Sequence, residues 1–233
     1  MGQRFSQWYD EALFDRCMDR VETAHMSELR QRLLADVGVD DRLGSALEVL
    51  EIGMGSGLNL PHYPSEMRTL HTLTLAPAPS PLAQQKADAR GLVLVHHQGD
   101  GHVLPFGDDR FDCVVATLIL CTVPSQEEFM AEVHRVLRPG GQYIFLDHAW
   151  EAEHQQSLPS RLLTPLHRVV ARGCKLDRVW TLEPFLKAGF AADAIQVQSD
   201  AIPGFSWMVG RNFYGRAVKA KREQVVADTE HTP

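Results

Sequence analysis

A mostly apolar run, Ala46-Leu47-Glu48-Val49-Leu50-Glu51-Ile52, breaks abruptly into Gly53-Met54-Gly55-Ser56-Gly57. The run has the length and character of a buried parallel strand. Glycine tolerates positive φ and lets a ligand approach the backbone, and the helix N-terminus that follows such a turn offers unpaired N–H donors. One glycine suffices for a tight turn; three at alternate positions point to a loop that wraps a ligand. A dinucleotide loop spaces its glycines Gly-x-Gly-x-x-Gly around a pyrophosphate. Here the third glycine comes one residue early, behind the acidic Glu51.

The flanking pattern supplies the rest of the fold class. Residues 1–40 have helical spacing, with Trp8, Leu13, Cys17 and Val21 and then Leu29, Leu33 and Leu34. Beyond the glycine loop, strands are expected at 70–75, 92–96, 111–117 and 142–147, and a helix at 82–89. Ser125-x-x-Glu128 opens a further helix carrying Phe129, Val133, Val136 and Leu137, and Arg138-Pro139-Gly140-Gly141 stops it. Residues 149–178 have a helical pattern and are expected to form a lid. A helix at 182–190 and strands at 194–198 and 213–219 complete the domain, 1–220, and 221–233 is a polar tail that frays. Alternating strands and helices predict one doubly wound α/β domain with a parallel sheet.

Composition narrows the partners. A net charge of −7 argues against a nucleic-acid partner, whose proteins are usually basic. Four scattered cysteines are too few for a disulfide framework and fit a reducing, cytoplasmic setting. No apolar run approaches the ~18 residues of an integral membrane segment. His96, His97 and His102 lack carboxylates at ligand spacing, so no metal site is expected.

The Glu51–Gly57 spacing resembles motif I of the class I methyltransferases, which bind S-adenosylmethionine (SAM) and release S-adenosylhomocysteine. The resemblance extends through Gly99-Asp100 with Leu104-Pro105-Phe106, Phe111-Asp112-Cys113-Val114-Val115, and Arg135-Val136-Leu137-Arg138-Pro139-Gly140-Gly141. It implies a Rossmann-like, seven-stranded sheet with an antiparallel last strand under an N-terminal helical cover. It also implies a cofactor site made by Tyr9, Glu51, Gly53, Gly55, Gly57, Asn59, the position of Ala76, Asp100, Gly101, Thr117 and Leu118. A narrower likeness joins Leu58-Asn59-Leu60-Pro61-His62-Tyr63-Pro64, Thr117-Leu118-Ile119-Leu120-Cys121, Asp147-His148, Gly173-Cys174-Lys175-Leu176-Asp177-Arg178 and Trp207 with Tyr214-Gly215-Arg216. These are similar to the thiol S-methyltransferase group and its bacterial relatives, implying methyl transfer to a small-molecule thiol. Phospholipid and quinone methyltransferases share much of the core pattern.

One position departs from the family. An acid that grips the ribose hydroxyls is expected ~20 residues beyond the glycine loop, and the residue there is Ala76. Three readings stay open: the ribose is held by another group or by water, the alanine is a deliberate substitution, or the domain is a non-catalytic binding protein that keeps the fold.

On the acceptor side, His148 stands at the carboxyl end of the fifth strand, where open α/β sheets place their ligands. It is expected to act as base or acceptor-orienting group, or else simply to cap the strand, and Asp147 either orients it or simply faces a helix. Cys121, Trp150, His167 and Trp207 are candidate walls of an acceptor pocket. Each is equally a candidate core residue.

Overall fold

The computed structural model describes residues 24–35, 37, 47–151, 158, 162–163, 165, 174–202, 206 and 210–221. Tyr9, His167, Trp207, most of the expected lid and nearly all of the expected tail lie outside the described residues. The chain divides into two compact units, Met1–Gly101 and His102–Pro233.

The first unit contains helix α1 (Ala24–Leu34), strands β1 (Val49–Ile52), β2 (Thr69–Thr74) and β3 (Val93–Gln98), and helix α2 (Pro81–Asp88). Leu29, Leu33 and Leu34 of α1 are buried, as their spacing predicts. So is Arg30, a charge that the helical pattern alone would leave in solvent. The strands are parallel in the order β3-β2-β1, with Ile52 opposite Leu73 and Thr74 opposite Gln98. β1 is buried throughout and begins at Val49, shorter than the expected 46–52. Ser80 caps α2 by accepting the Ala83 N–H, and Pro81 takes the first turn, where its missing N–H costs nothing.

The second unit contains β4 (Phe111–Thr117), α3 (Gln126–Val136), β5 (Leu137–Ala149), α4 (Glu183–Ala188), β6 (Ile195–Ala201) and β7 (Arg211–Val218). Its strand order is β4-β5-β7-β6, with β4 and β5 parallel and β7 antiparallel to both of its neighbours. Seven strands among the described residues, with the last antiparallel, agree with the expected architecture. Ser125 caps α3 by accepting the Glu128 N–H. The Glu128 carboxylate instead lies 3.5 Å from His102.

Three expectations change. Arg138-Pro139-Gly140-Gly141 is a bulge within β5 and not a turn before it. Phe111 pairs with Leu137 and Cys113 with Gln142, so four residues of β5 stand against the single Asp112 of β4 between these pairs. Gly140 N–H and Lys219 N–H close the bulge by donating to the Lys219 and Gly141 carbonyls. The chain from Ala149 also stays with the sheet: β5 runs through Ala149, and Trp150 bridges to Val179. Helix α4 stops at Gly189 (φ 103°), short of the expected Phe190, because the left-handed residue turns the chain away.

Candidate active site

Parallel pairing delivers the carboxyl ends of β1, β2 and β3 to one edge of the first unit. Gly53 N–H donates to the Leu73 carbonyl at 2.8 Å and Gly99 N–H to the Thr74 carbonyl at 2.9 Å. The glycine loop, Leu75-Ala76 and Gly99-Asp100 are therefore neighbours, as the resemblance implies. Gly53, Gly55 and Gly57 have φ of 72°, 54° and 74°, a region that glycine enters without penalty. Their surroundings differ. A Cβ on Gly55 would meet nothing within 4 Å, whereas one on Gly57 would lie 2.7 Å from Leu60 Cδ1 and 3.1 Å from the Ala83 Cα. Gly57 allows the loop to pack on α2, and Gly55 leaves an open face. Ser80 Oγ and Lys86 Nζ of the α2 segment donate to the Gly55 and Ser56 carbonyls and hold the loop from behind.

Glu51 and Asn59 support this loop from within. The Glu51 carboxylate, 1% exposed, accepts from Asn59 Nδ2 (2.9 Å) and Tyr63 Oη (2.8 Å), while Arg30 donates to Asn59 Oδ1. Burial pushes the Glu51 pKa up, against those hydrogen bonds and the Arg30 charge. Arg30 and Tyr63 join this network: Tyr63 lies in the stretch that resembles the thiol S-methyltransferases, whereas the sequence around Arg30 carries no such signal.

Ala76 brings only backbone to the edge. Its carbonyl accepts from Thr74 Oγ1 (3.3 Å) and His96 Nε2 (3.0 Å), and the Leu75 carbonyl accepts from Gln98 Nε2 (3.0 Å). Asp100 is exposed beside it and Gly101 is buried with φ 80°. The open face over Gly55 suits a cofactor, while the expected carboxylate is missing.

A second set of candidates gathers in the second unit. After β4 the half-buried Thr117 leads into Leu118, held at φ 58°, a left-handed conformation that costs a non-glycine residue about 1–3 kcal/mol. The turn this creates carries Cys121. Asp147, 3% exposed, holds two backbones with one carboxylate: it accepts His148 N–H at 2.8 Å and Cys121 N–H at 3.3 Å. Burial raises its pKa, opposed by His148 and the Cys121 hydrogen bond.

His148 Nε2 lies 2.9 Å from Cys174 Sγ. Cys174 stands beside Cys121 because Lys175 N–H donates to the Cys121 carbonyl. The Cys174 hydrogen bond, burial and the Asp147 carboxylate together keep the Cys121 thiol well above its ordinary pKa. Trp150 Nε1 donates to the Leu176 carbonyl, which anchors the returning segment. A pocket opens here, lined by Leu120, Cys121, Asp147, His148, Trp180 and Phe185 among others. Of the four candidate pocket walls, Cys121 lines the pocket and Trp150 is buried behind it.

A methyltransferase-domain family model matches residues 50–145. Thiol S-methyltransferase TMT1B of Rattus norvegicus is 33% identical over 195 residues, covering 78% of this chain and 75% of that one. Thiol S-methyltransferase TMT1A of Homo sapiens is 33% identical over 185 residues, covering 74% and 71%. Among solved structures, geranyl diphosphate methyltransferase in complex with SAM matches with a TM-score of 0.61 and 16% identity, over 84% of this chain and 86% of that one. The cofactor is SAM and the acceptor is a small molecule. No helix among the described residues is long and apolar enough to cross a membrane. The chain belongs to the class I SAM-dependent methyltransferases, in the sequence family that includes the thiol S-methyltransferases.

Proposed function

We propose that this enzyme transfers a methyl group from SAM to the sulfur of a small thiol. The observation that carries the reading is the pairing of two relatives named thiol S-methyltransferases, each matched over most of its length, with a pocket whose polar residues are suited to a thiol. When bound, the cofactor supplies an electrophilic methyl group on its sulfonium. The chain must then orient the acceptor, exclude water and assist loss of one proton. A thiol needs little such help, because its ordinary pKa of about 8.5 leaves part of it ionised near neutrality.

We assign the cofactor to the loop of Gly53, Gly55 and Gly57 with Asp100 and Gly101. Glu51 and Asn59 act as positioning residues through the buried network with Arg30 and Tyr63. On the acceptor side, His148 faces the pocket and Asp147 positions it. Leu120, Trp180 and Phe185 line the apolar side of the pocket.

The test is incubation of the full chain with SAM and a panel comprising a small aromatic thiol, an amine, a phenol and a phospholipid vesicle, read by mass spectrometry. A methyl thioether formed with equimolar S-adenosylhomocysteine supports the proposal. Methylation confined to the amine, phenol or vesicle overturns it. Ala76→Asp addresses the missing ribose acceptor in the same assay. A charged hydrogen bond contributes about 1.5–3 kcal/mol, so this variant is expected to bind SAM about 10- to 100-fold more tightly. Equal affinity would mean that the ribose is already held by other groups.

A further inference from the structure

Three segments distant in sequence bring two thiols and an imidazole to one point. Cys121 comes from the turn after β4, His148 from the end of β5, and Cys174 from the segment that returns to the sheet at Val179. One ligand atom from each lies within 4.8 Å of the other two. Around a tetrahedral Zn2+, bonds of about 2.3 Å to sulfur and 2.0–2.1 Å to nitrogen separate ligand atoms by roughly 3.5 Å. Closing the three groups on one ion requires side-chain shifts on the order of 1 Å.

The surroundings are those of a metal site. The Asp147 carboxylate fixes the backbones of two of the three residues, and the Lys175–Cys121 hydrogen bond ties the third to the first. Outer contacts of this kind orient metal ligands and hold them for the ion. On binding the ion, the Cys121 and Cys174 thiols each release a proton to solvent, and the two thiolates with a neutral imidazole balance the Zn2+ charge while the fourth position is open. The mixed sulfur and nitrogen set favours Zn2+ over the hard cations, which take oxygen. Three protein ligands leave one tetrahedral position open, the pattern of a reactive zinc site and not of a closed structural one.

We propose that Cys121, His148 and Cys174 bind one Zn2+ whose fourth position takes the acceptor thiol as its thiolate. On coordination the thiol S–H bond breaks, a Zn–S bond forms and the proton leaves to solvent, with no change of oxidation state. The metal then lowers the thiol pKa, so His148 serves as a ligand and need not act as the base. This inference rests on the thiol reading above.

The full chain is stripped of metal under a non-thiol reductant and titrated with Co2+, a spectroscopic stand-in for Zn2+. One equivalent is expected to give sulfur-to-cobalt charge-transfer absorption with tetrahedral d–d bands, bleached by one equivalent of Zn2+. Cys121→Ser and Cys174→Ser each remove about half of the charge-transfer intensity, and Cys113→Ser, outside the cluster, leaves it unchanged. Asp147→Asn is expected to weaken Zn2+ binding about 10- to 100-fold, a readout that does not depend on loss of a ligand. Circular dichroism checks the fold of each variant, and His148→Gln provides a third ligand deletion should either serine variant misfold. Added benzenethiol should raise the charge-transfer intensity by about half again as a third sulfur coordinates.

Cobalt binding without charge-transfer bands, or bands indifferent to all three ligand deletions, overturns the site. Bands unchanged by benzenethiol overturn the open fourth position. Thiol methylation undiminished in metal-free protein overturns the role of zinc and leaves the thiol reading intact. A cobalt site that takes benzenethiol in a protein that methylates no thiol supports the site and overturns the assigned acceptor.

Discussion

Alanine substitutions at Gly55 and Gly57 separate two tasks of one loop. Both positions have positive φ, at 54° and 74°, where an L side chain costs about 1–2 kcal/mol. At Gly55 that strain is the whole cost to stability, since the new Cβ meets nothing within 4 Å. At Gly57 the Cβ would stand 2.7 Å from Leu60 Cδ1 and 3.1 Å from the Ala83 Cα, so α2 or the turn at Leu60 must move. Overpacking of this kind adds about 1–3 kcal/mol, for a total of about 2–5 kcal/mol. At about 2–4 °C per kcal/mol for a chain of this size, Gly55→Ala should lower the melting temperature by about 2–8 °C and Gly57→Ala by about 4–20 °C. Affinity should run in the opposite order relative to stability: the methyl at Gly55 projects into the open face, and SAM binding should weaken at least about tenfold. Thermal melts and calorimetric titration with S-adenosylhomocysteine measure both quantities. A Gly55→Ala protein that binds like the parent would refute the placement of the cofactor over the loop. A Gly57→Ala protein that melts no lower than Gly55→Ala would refute the packing argument.

Two further outcomes follow from buried charges. Arg30→Met removes the cation beside the Glu51 carboxylate and should destabilise the fold by about 3–5 kcal/mol in urea unfolding, because a buried charge is left unpaired; Arg30→Met combined with Glu51→Gln should recover most of the loss, and strictly additive costs would show that the two groups do not couple. His134 packs edge-on against Phe190 at 4.9 Å, and burial, assisted by the Lys219 ammonium, pushes its pKa below 6.5 against the pull of Asp109. The unfolded chain therefore binds more protons just below pH 6.5, so stability rises with pH through that window and is lost as the pH falls. His134→Gln should flatten the dependence of the urea midpoint on pH between about 5 and 7, and an unchanged slope would remove His134 as its source.

The glycine loop was legible in sequence because its signal is local. Alternate glycines after an apolar run demand positive φ wherever the rest of the chain goes, and all three glycines have it. Strands β1 and β4 were legible for the same reason, since apolar runs of this length bury both faces. Their ends were less so. The bulge at Arg138-Pro139-Gly140-Gly141 reads as a turn when seen alone, and becomes part of β5 only because Lys219 supplies hydrogen-bond partners from the far end of the unit. Arg30 reads as a solvent-facing charge until Asn59 and Glu51 are brought beneath it.

The acceptor side shows the division most clearly. Asp147 and His148 could be chosen from their place at a strand end, a property of neighbouring residues in the chain. Cys174 could not, although it lies in a stretch that resembles the thiol S-methyltransferases. Its meeting with His148 and Cys121 requires the chain to leave β5 and return in register at Trp150 and Val179, and that register is set by backbone hydrogen bonds between segments that carry no matching pattern in sequence. Backbone conformation is dictated by each residue and its immediate neighbours, so sequence alone determined the loop and the strands. Which side chains share a site depends on where segments dock after the loops between them close, and only the folded chain contains that information.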